Sequence, residues 1–177
     1  LNTATSGAVT STYNAGTGVW TASGAIADVN TLLAGLTFTP AANFNSNFTI
    51  ATSVSDGVAA AITGSKAMTG TPVNDAPTAT NLSAAETYIE DTALNLVDIV
   101  VSDIDSATVT ATLTLSNIAA GSLNTATSGA VTSTYNAGTG VWSASGAIAD
   151  VNTLLAGLTF TPAANYNSNF TIATSVS

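Results

Sequence analysis

The stretch ATVTATLTLS, residues 107–116, decides the fold of this chain because its side chains alternate in character. Val109, Ala111, Leu113 and Leu115 are apolar, and a threonine stands between each pair of them. Successive side chains of a β-strand point to opposite faces, so the pattern predicts a strand with one buried and one solvated face.

Short apolar and β-branched runs on both sides of this stretch predict further strands. Leu94–Val101 is apolar enough to form a central strand. A glycine-rich loop at residues 136–140 predicts a hairpin between the runs 130–135 and 141–147. The other predicted strands are 158–161, 169–176 and, after the turn signal Ser55-Asp56-Gly57, 58–68.

One short helix is predicted among the strands. Val151, Leu154 and Leu155 have helical spacing, Asp150 is placed as the N-cap and Gly157 as the C-terminal cap. About seven short strands in about 100 residues are typical of an immunoglobulin-like sandwich. The sequence therefore predicts an all-β fold of β-sandwich repeats, each with one short crossover helix. A parallel-strand solenoid is the alternative, and it would show a finer internal period.

Residues 1–55 recur at 123–177, at an offset of 122 residues, with only Thr21 and Phe44 replaced by Ser143 and Tyr166. A period of this length suits a whole domain repeated head to tail. The stretch TPVNDAP, residues 71–77, brackets an Asn-Asp pair with two prolines and predicts the linker. Residues 1–75 are then the C-terminal part of one 122-residue repeat with its first strands missing, and 76–177 the next repeat, lacking its last strand.

Charge and composition exclude several functions. The chain has one Lys, no Arg or His, ten acids and a net charge of −9. Nucleic acid is not an expected partner because phosphate binding needs a basic surface, and no apolar run predicts membrane insertion. Without His or Cys, neither a Ser-His-Asp nor a Cys-His arrangement can form, so we expect no enzyme activity. The absence of Cys is compatible with an extracellular location.

Five segments follow one another along the chain: NDAP (74–77), EDT (90–92), SDID (102–105), residues 146–162 and ANYN (164–167). Together they are similar to the cadherin-like tandem repeats of giant bacterial surface and secreted proteins of the RTX type. The resemblance covers nearly the whole 122-residue period, although Asn167-Ser168 replaces the Asn-Gly common in that loop. It implies immunoglobulin-like sandwiches, often stabilised by calcium, that extend adhesins away from the cell.

Calcium is the cofactor that the resemblance implies. It places the linker residue Asp75 near Asp103 and Asp105 at a domain junction, with Glu90 or Asp91 as bridging carboxylates. Calcium takes six to eight oxygen ligands, so donors from several segments are needed. Further candidates are Asn74, beside Asp75, and Asp56, in a Ser-Asp-Gly turn. The alternative is that these acids only form turns and caps.

Two functions follow as expectations. In the first, the chain is a structural repeat of an extracellular bacterial adhesin or surface protein and acts as a calcium-stiffened extender. In the second, it is a subunit of an extracellular filament in which neighbouring units exchange strands. Partners are then identical repeats in the same or neighbouring chains. An aromatic pair, Trp142 with Tyr135 or Trp20 with Tyr13, suggests a carbohydrate platform, but the sandwich core is the favoured place for these rings.

Overall fold

The computed structural model describes residues 1–177, and they divide into two compact units, Leu1–Val73 and Asn74–Ser177. About a third of the chain, 36%, is strand and 12% is helical, so the predicted all-β class is confirmed. No helix is long and apolar enough to cross a membrane.

The first unit consists of small two-stranded sheets and one helix. Helix α1 comprises Ile26–Ala34 and ends at Gly35. The strands pair antiparallel as β1 with β2, β3 with β4 and β5 with β6. Their bounds are β1 Thr5–Ser6, β2 Val9–Thr10, β3 Thr12–Asn14, β4 Val19–Thr21, β5 Phe48–Val54 and β6 Ile62–Met68.

The second unit contains larger sheets and one helix, α2, at Ile148–Ala156. A short 3₁₀ turn at Ile118–Ala120 precedes β11. The strands are β7 Thr78–Ala79, β8 Leu94–Asn95, β9 Val101–Ser102, β10 Thr108–Leu115, β11 Gly121–Leu123, β12 Thr127–Ser128, β13 Val131–Thr132, β14 Thr134–Asn136, β15 Val141–Ala147, β16 Thr159–Pro162 and β17 Ile172–Val176.

Strand β10 organises the main sheet of the second unit, whose order is β14-β15-β10-β17. The alternation in residues 107–116 is confirmed, because Val109, Ala111, Leu113 and Leu115 are buried while the intervening threonines are not. A second sheet, β11-β16-β8, brings Phe160 into the same core. Helix α2 packs its buried residues Val151, Leu154 and Leu155 against this core.

The structure corrects two local predictions. Leu94–Val101 is not one central strand: β8 pairs with β16, β9 pairs with β7, and the residues between them are irregular. The chain leaves one sheet and enters another here, and the Asp98 carbonyl accepts a hydrogen bond from the Asn81 side chain. Asp150 is not the N-cap, since α2 is preceded by Ala147 and Asp150 lies in its first turn, accepting from the Ser128 hydroxyl at 3.1 Å.

Candidate functional site

Three of the predicted metal ligands meet at the beginning of the second unit. The backbone N–H of Asp75 donates to Oδ2 of Asp105 at 2.7 Å. The N–H groups of Asp105 and Ser106 donate to Oδ1 of Asp103 at 2.8 and 2.7 Å. The segment before β7 and the turn between β9 and β10 are therefore joined by carboxylates, in a region without any cationic side chain.

The other predicted ligands lie elsewhere or contribute backbone contacts only. Asp91 accepts from the N–H of Asn165 at 2.9 Å and so holds the loop before β17. Glu90 lines a groove described below. Asn74 donates to the carbonyl of Asp75 at 2.8 Å. Asp91 thus contacts the loop before β17, whereas Asp103 and Asp105 contact the turn after β9 and the segment before β7, and the bridging role expected for Glu90 or Asp91 stays a prediction.

Asp56 is in the first unit, in the connection between β5 and β6. The N–H groups of Ala59 and Val58 both donate to its Oδ1 at 2.9 Å. The hydrogen bond from Ala59, and to a lesser extent the one from Val58, lowers the pKa of the Asp56 carboxyl below its usual value of 3.8. The side chain therefore organises a turn of its own unit.

The donor set at Asp75, Asp103 and Asp105 fits calcium only in part. Nowhere in the chain do three or more acidic side chains form a group close enough to hold a metal ion. One oxygen of Asp103 and one of Asp105 already accept backbone hydrogen bonds. Hard oxygen donors remain on the same carboxylates, but a full calcium shell needs six to eight oxygens, so further ligands must come from water or another segment.

The aromatic pair proposed as a sugar platform belongs to the core of the second unit. Trp142 is buried, and its indole N–H donates to the carbonyl of Asn124 at 3.0 Å. The Tyr135 hydroxyl donates to the carbonyl of Gly121 at 3.2 Å, and burial raises its pKa. Trp142 and Tyr135 therefore pack in or against the core, while the equivalent Trp20 and Tyr13 of the first unit are more exposed, Tyr13 at 38%.

A feature that sequence reasoning did not locate is a groove of about 1040 Å³ in the second unit, which we call the β17 groove. It lies between β17 and residues 81–88. The Thr174 hydroxyl donates to the Leu82 carbonyl at 2.6 Å, and the Tyr88 hydroxyl to the Ser168 carbonyl at 2.7 Å. Its apolar lining includes Leu94, Leu96, Ile99, Leu113, Phe160 and Phe170.

Aromatic rings close one end of the β17 groove. The centroid of the Tyr88 ring lies 5.6 Å from that of Phe160 and 5.6 Å from that of Phe170, and both of these contacts are edge-on. The centroid of the Tyr166 ring is 6.4 Å away. Burial, and then the neighbouring Tyr166 and Glu90, raise the pKa of Tyr88. The groove has no local sequence signal, because residues 81–88 and the residues of β17 that line it are far apart in the chain.

Comparison of the chain with protein-family models, with curated proteins and with solved structures found no match.

Proposed function

We propose that the chain is a structural repeat segment of an extracellular bacterial adhesin or surface protein, in which cadherin-like, immunoglobulin-like units provide length. The observation that supports this function is the near identity of residues 1–55 and 123–177 at an offset of 122 residues. A catalytic or binding function needs one well-formed site, whereas reach grows with every added unit. Uniform copies are therefore what an extender requires.

We also propose that the chain is not an enzyme. Its only titratable side chains are carboxylates, tyrosines and Lys66. Asp56, Asp91 and Asp103 accept hydrogen bonds from backbone N–H groups in turns. Glu86, which lines the β17 groove, likewise accepts from the N–H of Val97. Such contacts stabilise loops and leave no group poised for proton transfer.

Length is tested with chains that carry increasing numbers of the 122-residue unit. Small-angle X-ray scattering should show a maximum dimension that rises by a constant increment for each unit added. A maximum dimension that levels off would mean that the units fold back on one another, and the extender function would then be wrong.

Calcium is the second part of the proposal, with the Asp103 and Asp105 carboxylates as two of its ligands and the remaining oxygens drawn from Asp75, water or another segment. The chain has ten acidic residues and one Lys, so a divalent cation would reduce the repulsion between carboxylates and stiffen the segment before β7. A free calcium concentration of about a hundred times the Kd would stabilise the fold by about 2.7 kcal/mol.

Calorimetry with calcium and with a chelator measures this stabilisation. We expect the melting temperature of the second unit to rise with calcium, and to stop responding in Asp103→Asn and Asp105→Asn. Asp98→Asn is the matched control, because this exposed acid lies in the irregular stretch between β8 and β9. A melting temperature that is the same with calcium and with chelator would rule out the metal while leaving the extender function in place.

A further inference from the structure

Two tyrosine rings lie side by side where the loop before β8 meets the loop before β17. The ring centroids of Tyr88 and Tyr166 are 6.4 Å apart and the ring planes are inclined by only 22°, so the two phenols are stacked. Among the aromatic ring contacts of the chain, only this one joins two tyrosines. The other two tyrosines, Tyr13 and Tyr135, have no tyrosine ring beside them.

Hydrogen bonds join the two loops on both sides of this ring pair. The Tyr88 hydroxyl donates to the carbonyl of Ser168, two residues after Tyr166, at 2.7 Å. Oδ1 of Asp91 accepts from the N–H of Asn165, directly before Tyr166, at 2.9 Å. Because residues around each ring are bound to the other loop, the two rings meet in one defined arrangement rather than by chance encounter.

Two further contacts position the Tyr166 ring. The Phe170 ring lies edge-on against both tyrosines, with its centroid 5.6 Å from that of Tyr88 and 6.2 Å from that of Tyr166. The Tyr166 hydroxyl accepts from the Asn117 side chain at 3.1 Å. Packing and a hydrogen bond thus hold both the ring and its oxygen in place.

The packing at position 166 does not itself need a phenol. Tyr166 is one of the two positions at which the copies differ, and the first copy has Phe44 there. The Phe44 ring lies 5.7 Å from Phe48, edge-on, as Tyr166 does from Phe170. What tyrosine adds at this position is therefore its hydroxyl and the reactivity that a phenol has and a phenyl ring lacks.

We propose that Tyr88 and Tyr166 are a covalent cross-linking site, at which oxidation joins the two rings as dityrosine. The oxidant is hydrogen peroxide activated by a haem peroxidase. Each ring loses one electron and its phenolic proton, and the two phenoxyl radicals form a carbon–carbon bond between the positions next to their hydroxyls. The hydrogens on those carbons then move to the oxygens and restore both phenols, while the peroxide takes up the two electrons and two protons and becomes water.

Bond formation requires the rings to come closer than they are in this structure. Tyr88 and Tyr166 both lie in irregular segments, which move more readily than strands, and the Tyr166 ring is partly exposed to an oxidant. The two residues are far apart in sequence, so a bond between them would restrict the unfolded chain as a disulfide does. The chain has no Cys, and this site would provide a covalent link independently of the proposed extender function.

The experiment treats the whole chain, at low concentration, with hydrogen peroxide and a haem peroxidase. We expect dityrosine fluorescence in a product that stays monomeric and is lighter by two hydrogen atoms. Cleavage after acidic residues should release residues 87–90 linked to residues 151–177, which mass spectrometry identifies. Calorimetry should show a higher melting temperature for the second unit after the link has formed.

Tyr166→Phe tests the pair with the residue that the first copy carries, so the ring packing is kept. The fluorescence yield should fall by about tenfold or more, because coupling is then left to encounters between molecules. Tyr13→Phe is the matched control and should change the yield by less than about twofold, since this ring is not part of the pair. In urea, which separates the two loops, the link between residues 88 and 166 should no longer be the preferred product.

Several results would overturn the inference. One is a folded chain that gives no dityrosine under conditions in which free tyrosine couples. Another is a yield that Tyr166→Phe leaves unchanged, or a product made mainly of covalent dimers. A link between residues 88 and 166 that forms as readily in urea would show that the folded geometry has no part in it, and an unchanged melting temperature would exclude a stabilising role for the link.

Discussion

The two copies of one sequence, residues 1–55 and 123–177, share their helix and short hairpins but differ greatly in burial. Phe38 is 38% exposed and Phe160 1%; Leu33 is 44% exposed and Leu155 2%. The second copy lies in one unit with residues 76–122, which supply β10 and, in the facing sheet, β8 and the first two residues of β11. Burial in this fold therefore comes from partners that lie far away in sequence.

What both copies share is set by short-range contacts. Helices α1 and α2 contain the same nine residues. The indole N–H of Trp20 donates to the Asn2 carbonyl at 3.1 Å, as that of Trp142 does to Asn124. Strand length differs, however: β4 has three residues and β15 seven, because β15 pairs with β10 along its whole length.

The largest effect that this comparison predicts is for the two phenylalanines. Phe160→Ala removes a buried ring and leaves a cavity, so the second unit should lose about 3–5 kcal/mol of unfolding free energy. Phe38→Ala, the same change at the equivalent position, should reduce the stability of the first unit by about 1 kcal/mol. Native-state hydrogen exchange reads each unit separately, and equal losses would contradict the difference in burial.

A smaller effect is expected at equivalent asparagines of the two helices. The side chain of Asn152 accepts from the N–H of Val101 at 2.8 Å and donates to its carbonyl at 2.9 Å, while Asn30 has no such partner. Asn152→Ala would leave both backbone groups of buried Val101 unsatisfied, at a cost of about 1–3 kcal/mol.

Asn30→Ala is the control for this change. It should be neutral or slightly stabilising, because Ala is the better helix former. Urea unfolding of the second unit, followed by Trp142 fluorescence in a Trp20→Phe background, measures the first effect. If Asn152→Ala leaves the urea midpoint unchanged, the hydrogen bonds between α2 and β9 do not contribute to the stability of the second unit.

The sequence predicted the elements whose pattern is local. The threonine alternation of β10 and the helical spacing of Val151, Leu154 and Leu155 appear in the structure as expected. Leu94–Val101 was mispredicted because an apolar run does not reveal that the chain changes sheets within it. The groove was missed since its walls, residues 81–88 and 168–174, are distant in sequence, and the meeting of Asp75 with Asp105 came from a family resemblance rather than from spacing.

One of the two substitutions between the copies predicts a still smaller difference. The Tyr166 hydroxyl accepts from the Asn117 side chain at 3.1 Å, whereas Phe44 at the equivalent position is 45% exposed, so a hydroxyl there would bind water. Tyr166→Phe should lower the stability of the second unit by about 0.5–1 kcal/mol. Phe44→Tyr should leave the first unit unchanged, and an equal gain there would show that the hydroxyl acts through water alone.

The smallest effect concerns the connection between β5 and β6 of the first unit. The Asp56 carboxylate accepts from Ala59 and Val58, which lowers its pKa below 3.8. A carboxyl whose pKa is lower in the folded state stabilises the turn above its unfolded pKa, and this contribution disappears as pH falls through the folded pKa. NMR titration should therefore give Asp56 a pKa below 3.8, and the Ala59 amide should exchange faster on acidification only in the range where Asp56 titrates. In Asp56→Asn the pH dependence of that exchange should vanish, while an Asp56 pKa of 3.8 or above would mean that the turn is not formed in solution.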